Sequence, residues 1–224
     1  MIENIWETND LSKMKVEKFE EGHIFYMDNF YKYPDLVVQE ILSKEPPVWK
    51  SEDENTYNLV YFEDRRHQLF YDELIDVYES LSEVIEKYDV GRGVSSDIGT
   101  LVTNHSKFYK DKFNDYKNCW WWPHIDSGYN GIVYLNENTN NERGTNLYRR
   151  LKKDLHYSDV PEHRRPWIPK EYWDLIAYFK SKFNRFVMFD GEKYYHGMSI
   201  DNERYFEEFR LNQVFFFTDK NFED

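Results

Sequence analysis

Cysteine is nearly absent: Cys119 stands alone among 224 residues. No intramolecular disulfide can form, and a reducing, cytoplasmic compartment is the expectation. Long apolar runs are missing too, so no stretch has the length of a membrane span. The opening "MIENIWETND" has neither the basic start nor the apolar centre of a secretory leader. Nine glycines and seven prolines leave no room for a low-complexity tract or a long linker, and no internal repeat is visible. Basic residues are outnumbered, 29 Lys and Arg against 42 Asp and Glu, for a net charge of −13. A phosphate backbone would meet repulsion from such an average surface, which disfavours general nucleic-acid binding. What the chain does have is aromatic side chains, 19% of the total. That composition belongs to a folded globule with a large core, and the length suits a single domain spanning 1–224.

Within that domain the texture changes near residue 95. Residues 1–94 read as an N-terminal strand and helical support. "GHIFYMDNFYKYPDLVVQEILSKEPP" is a short strand followed by a helix opened by Pro34 and stopped before Pro46 and Pro47. Apolar positions 71, 74, 75, 78, 81, 84, 85 and 88 mark a second helix with an acidic outer face. From 95 to 218, short runs rich in Val, Ile, Tyr and Phe alternate with Asn and Gly: "GTLVTNHSKFY", "NGIVYLNE", "GTNLYRR", "NRFVMFDG", "KYYHGMSI" and "RLNQVFFFTD". These read as antiparallel strands, with "FDGEKYY" as a hairpin turn at Asp190–Gly191. An insertion, 151–183, interrupts them. There Pro169 opens a predicted helix with apolar positions 172, 175, 176, 179 and 183. The fold class is α+β, helices mostly first and a β-core after.

One short stretch suggests chemistry. In "WWWPHIDSG", His124 and Asp126 are two apart, and on a strand both would point to the same face. Roughly one His-x-Asp/Glu triplet is expected by chance in such a composition, so the spacing alone is weak. "YYHGM" supplies His196 on another strand of the same core. Two histidines and one carboxylate leave the remaining positions of a metal open, the arrangement non-haem Fe(II) oxygenases use. Fourteen residues further on, Arg210 interrupts the apolar "FRLNQVFFF". Alternation places Arg210 and Asn212 on one face, Leu211 and Phe215 on the other. A core-facing guanidinium needs an anion, either an internal carboxylate or a bound one.

His-x-Asp, a distant His, then an Arg on a late core strand: in this order the chain resembles the Fe(II)- and 2-oxoglutarate-dependent dioxygenases. "RGTNLYR" is similar to the strand that follows the first metal-binding strand in that family. "FNRFVMFDGEKYYHG" is similar to the strand–turn–strand before the second histidine, and Arg210-Leu211-Asn212 to an Arg-x-Ser that some members use on the cosubstrate. The "DNFYKYPDLV" opening resembles a little-characterised group that includes phage-encoded members.

The resemblance implies a double-stranded β-helix, or jelly roll, as the catalytic core at 95–218, with the N-terminal helices as supports and 151–183 as a helical insertion. It implies Fe(II) on His124, Asp126 and His196, with no catalytic side chain beyond those ligands. 2-Oxoglutarate would place its far carboxylate on Arg210, aided by Asn212 and Tyr109, with Lys107 and Asn104 competing for the role of Tyr109. The reaction would consume dioxygen, release succinate and CO2, and oxidise an unidentified small molecule or side chain. Halogenating members lack the carboxylate ligand, so Asp126 points to hydroxylation. A silent jelly-roll binding module, or a cupin-like metalloenzyme that does not use 2-oxoglutarate, are the alternatives. Trp120, Trp121 and Trp122 read as sheet-edge packing, with the lining of the substrate mouth by one of them as the alternative. His23, His67, His105, His156 and His163 read as surface or capped residues. The basic residues between Arg149 and Arg165 fit a lid or, preferably, a solvated face.

Overall fold

A computed structural model of the chain describes residues 4–44, 62–69, 74–90, 92, 101–108, 116–137, 142–151, 167–200 and 203–217. Every pairing between its strands is antiparallel, as expected for an α+β chain whose strands are joined by short connections. The strands are β1 (Lys15–Phe19), β2 (Gly22–Met27), β3 (Phe62–Leu69), β4 (Leu101–Phe108), β5 (Cys119–Trp121) and β6 (Tyr129–Tyr134). They continue with β7 (Arg143–Arg150), β8 (Trp167–Pro169), β9 (Trp173–Lys180), β10 (Arg185–Asp190), β11 (Tyr195–Met198) and β12 (Arg210–Phe217). Seven form one sheet in the order β1-β2-β10-β6-β12-β4-β3. Three form a second, β11-β7-β9, and β5 pairs with β8.

The helices are α1 (Pro34–Ser43), α2 (Ile75–Tyr88) and the single turn α3 (Arg204–Glu207). Pro34 occupies the first turn of α1, where its missing N–H costs nothing, and Asp35 favours the positive helix end. Val37 and Ile41 of α1, with Val77, Tyr78, Leu81 and Ile85 of α2, pack on one face of the large sheet. The period of two then sorts the strands. On β10, Phe186 and Met188 face the helices while Val187 and Phe189 face the opposite way; on β6, Val133 and Ile132 divide likewise. The second face packs against Leu147 of β7 and Ala177 and Phe179 of β9. Helices, large sheet and small sheet therefore make three layers. Between β6 and β12 the chain moves from the large sheet to the small one and back twice.

Two expectations are corrected. Residues 173–180 are strand, not helix: Trp173 is buried, Leu175, Ile176, Ala177 and Phe179 are half-buried, and Asp174, Tyr178 and Lys180 are exposed, with a bulge at Ile176 where the pairing to β7 shifts register. Pro169 ends β8 and is followed by one 3-10 turn, Lys170–Tyr172. A run of apolar residues this short satisfies helical and strand periods alike, and pairing with β7 decides for the strand. The helical insertion is thus β8, the 3-10 turn and β9 in its described part; residues 152–166 lie outside the described residues. Second, Asp190–Gly191 begins a turn but not a hairpin. Both edges of β10 are taken, by β2 and β6, so β11 pairs with β7 in the other sheet. The N-terminal part is also more than support, since β1, β2 and β3 extend the large sheet.

No helix among the described residues is long and apolar enough to cross a membrane. Arg149 pairs with Glu20 and lies 3.7 Å from Asp174, and Arg150 lies over the Trp173 ring; Lys152, Lys153, Arg164 and Arg165, the rest of the basic cluster, lie outside the described residues. Asp64–Leu69, the basic spot "DRRHQL", lies on the edge strand β3.

Candidate metal centre

His124 and Asp126 leave β5 through a constrained corner. Trp122 has φ +41°, a left-handed conformation that costs a bulky residue roughly 1–3 kcal/mol. Pro123 follows. The segment is not a continuous strand: His124 makes one isolated antiparallel bridge, to His196 of β11. Its amide donates to the His196 carbonyl at 2.9 Å, and the His196 amide returns the bond at 2.8 Å. Two backbone hydrogen bonds thereby set the imidazoles side by side, ring centroids 4.4 Å apart. Gly197 permits this approach, because a Cβ there would meet the Trp121 carbonyl at 2.5 Å.

The orientation of each ring is fixed by its other nitrogen. His124 Nδ1–H donates to the Trp122 carbonyl at 2.6 Å, and His196 Nδ1–H to the Tyr194 carbonyl at 3.0 Å. A carbonyl can only accept, so each neutral ring keeps its proton on Nδ1 and turns the Nε2 lone pair inward. Those lone pairs meet Asp126 Oδ2, at 3.6 Å from His124 Nε2 and 3.2 Å from His196 Nε2. The three donor atoms all lie within 4.8 Å of one another. Three electron-rich atoms converging in this way form a set that could hold a cation, a proton or a metal. Bonds of about 2.1 Å at right angles would space such atoms about 3 Å apart.

The electrostatics agree. Burial raises the Asp126 carboxyl, but hydrogen bonds from His124 and His196 in their protonated forms, with a proton on Nε2 as well, outweigh it and hold the group well below the ordinary carboxylate range. Burial lowers His124, yet its bond to Asp126 wins and its pKa rises. In His196, 4% exposed, burial wins, and the pKa falls. The deep imidazole is therefore the one that favours its neutral, metal-binding form.

His124, Asp126 and His196 line a cavity of about 560 Å³ together with Arg210 and Asn212. Arg210, the first residue of β12, is buried, and loss of solvent pulls its pKa down. The alternation along β12 is as expected: Arg210, Asn212, Val214 and Phe216 line the cavity, while Leu211 and Phe215 enter the helix-facing core. Tyr109 lies outside the described residues, as do the side chain of its competitor Asn104 and all of His156 and His163. Lys107, the other competitor, is half-buried on β4. His67 and His105 fall on β3 and β4, and the half-buried His23 ring lies tilted against Phe25 and Tyr88. Trp121 packs edge-on against Trp167, as sheet-edge packing requires, and both Trp121 and Trp122 also line the cavity.

Sequence reasoning missed two residues. Asn130, buried on β6, donates from Nδ2 to Asp126 Oδ2 at 2.7 Å and lies 3.0 Å from His196 Nε2. Thr145, buried on β7, accepts the Tyr134 hydroxyl proton at 2.7 Å and lines the cavity. An Asn four residues after an Asp, or a Thr after a Gly, gives no warning of either.

No family profile matches the chain, and no curated protein is similar to it in sequence. Among solved structures it is similar to a prolyl 4-hydroxylase from Phytophthora capsici, at TM-score 0.46 and 12% identity. That match takes in 88% of this chain but only 58% of the Phytophthora chain. A Pseudomonas putida prolyl-4-hydroxylase (93% of this chain, 95% of that one) and a Shewanella oneidensis protein assigned as an oxygenase (88% and 81%) match with the same score and identity. At that score the likenesses do not bear on the chemistry of the site, which stands on its own geometry.

Proposed function

We propose that the chain is an Fe(II)- and 2-oxoglutarate-dependent oxygenase that hydroxylates a small molecule or a side chain. The observation that carries this is the convergence of two Nε2 lone pairs and one carboxylate on a cavity that also holds a buried arginine. The donor set fits Fe(II): nitrogen and oxygen ligands, no thiolate, and two imidazoles pre-oriented by carbonyls. It also leaves coordination positions open toward the cavity. The alternation of consecutive strands between two stacked sheets supports a jelly-roll core. The single cysteine, Cys119, buried and free, supports a reducing, cytoplasmic setting.

When bound, iron and cosubstrate supply oxygen activation: dioxygen is consumed, 2-oxoglutarate becomes succinate and CO2, and one oxygen atom enters a substrate C–H bond. The protein's part is to hold and to shield. His124, Asp126 and His196 hold the metal, and Asn130 keeps Asp126 turned inward through its amide. Arg210 offers a two-point grip for the far carboxylate of the diacid. Thr145, whose Oγ1 accepts a hydrogen bond from the Tyr134 hydroxyl, keeps its own hydroxyl hydrogen to donate into the cavity, and Asn212 adds an amide. Phe108, Trp121, Met198, Val214 and Phe216 exclude water from the remaining wall.

The test is succinate release with Fe(II), 2-oxoglutarate and oxygen. Slow turnover without added substrate is expected, abolished by Asp126→Ala and strongly weakened by Arg210→Ala. Metal binding with no binding of 2-oxoglutarate would instead favour the cupin-like or silent module.

A further inference from the structure

Asp190 is a carboxylate with no exposure at all, at the end of β10, outside the ligand set. Burying a charge there is costly unless several partners meet it. They do. Its Oδ1 accepts from the Glu192 amide at 3.0 Å, the Lys193 amide at 3.2 Å and Arg92 Nη2 at 3.3 Å, and Lys193 Nζ lies 3.3 Å from Oδ2. The carboxylate thus pins the turn 191–193.

That turn grips both segments that carry the metal donors. The Gly191 amide donates to the Gly128 carbonyl at 2.7 Å, and the Asp126 amide donates to the Gly191 carbonyl at 3.1 Å. Glu192 Oε1 accepts from the Gly128 amide at 3.2 Å. On the other side, the Tyr194 amide donates to the Asp190 carbonyl at 3.2 Å, and the Tyr194 carbonyl is the one that orients His196. Arg92, just beyond α2, lies over the Tyr129 ring, and Tyr129 donates to Asp89 at 2.9 Å. The helical layer is tied to the same turn.

We propose that Asp190 is a positioning residue for the metal centre: through the 191–193 turn it sets Asp126 against His196, and Arg92 anchors it to the helical layer. This rests on the metal-binding part of the proposed function. A carboxylate that served stability alone would lower the melting temperature when removed and leave the metal site unchanged.

The test uses Co(II) as the probe, titrated by calorimetry into the metal-free full chain, with its visible spectrum recorded. Circular dichroism verifies folding. Asp190→Ala should bind Co(II) roughly 10-fold or more weakly, with a shifted spectrum. Asp190→Asn, which keeps the Oδ1 acceptor, should recover most of the affinity. Should Asp190→Ala fail to fold, Gly191→Ala decides, because its Cβ would stand 3.1 Å from the Asp126 carbonyl oxygen, 3.0 Å from the Gly128 carbonyl oxygen and 3.0 Å from Asn130 Nδ2. It too should weaken Co(II) binding. Phe186→Ala, destabilised in the distant helix-facing core, should keep wild-type affinity per folded molecule. Folded Asp190→Ala or Gly191→Ala with wild-type Co(II) affinity and spectrum would overturn the inference alone. A wild-type chain that takes up no Co(II) would overturn the metal centre and this inference together.

Discussion

The two faces of the large sheet are built from the same strands and do opposite work. On the helix side, Phe25, Val133, Phe186, Leu211 and Phe215 pack with α1 and α2 into a continuous apolar layer. On the other side, Asn130 and Arg210 are buried among apolar neighbours and open onto the cavity. Leu211 and Arg210 are adjacent in the chain, yet one contributes burial and the other a desolvated charge. Period-two geometry lets a single strand carry stability on one side and chemistry on the other, so substitutions on the two faces should separate cleanly.

The largest effect should come from the cavity side. Asp126→Ala removes the only carboxylate of the donor set and should abolish metal-dependent succinate formation, while the melting temperature stays within a few degrees. An Asp126→Ala chain that still forms succinate would break the division. On the helix side, Phe186→Ala empties a site where its ring stacks 4.5 Å from Phe30, and should cost about 3–5 kcal/mol in urea unfolding. Its KM for 2-oxoglutarate should be unchanged. Arg210→Lys keeps the charge and loses the fork, and should raise that KM roughly 10- to 100-fold with a smaller change in kcat.

A smaller effect sharpens the comparison from outside both faces. Arg185 hydrogen-bonds Asp28 at 2.5 Å and, with Lys182 and against burial, brings its carboxyl from 3.8 to about 2. The folded value lies below the unfolded one, so the ionised group contributes stability that is complete above pH 3.8 and lost as pH falls through about 2. Asp28 is partly exposed, and the contribution should be below about 1 kcal/mol. Melting curves of the wild type and Asp28→Asn should converge at the acid end of that window. A difference that persists at pH 2 would assign the effect to packing instead.

How much of this was legible beforehand depended on whether the signal was local. Both long helices follow from their apolar spacing and, for α1, from Pro34. The strands β4, β6, β7, β10, β11 and β12 fall where short aromatic and β-branched runs alternate. Residues 173–180 were ambiguous, because eight residues can satisfy either period until a neighbour offers a ladder. The hairpin expectation at Asp190–Gly191 failed for a non-local reason: whether a turn joins paired strands depends on which edges are already occupied.

The sequence by itself determined the donor types, their order and their alternation: His124 and Asp126 two apart, His196 on a later strand, Arg210 opposite in direction to Leu211. Only the tertiary structure decided what joins them. The bridge between His124 and His196, the Asn130 amide on Asp126, and the Arg92–Asp190 contact across 98 positions all depend on backbone segments meeting in space. The physical reason is that side-chain direction within a strand follows from the local period. Which strands meet, and which polar atoms are then buried together, is settled by packing and hydrogen-bond completion over the whole molecule.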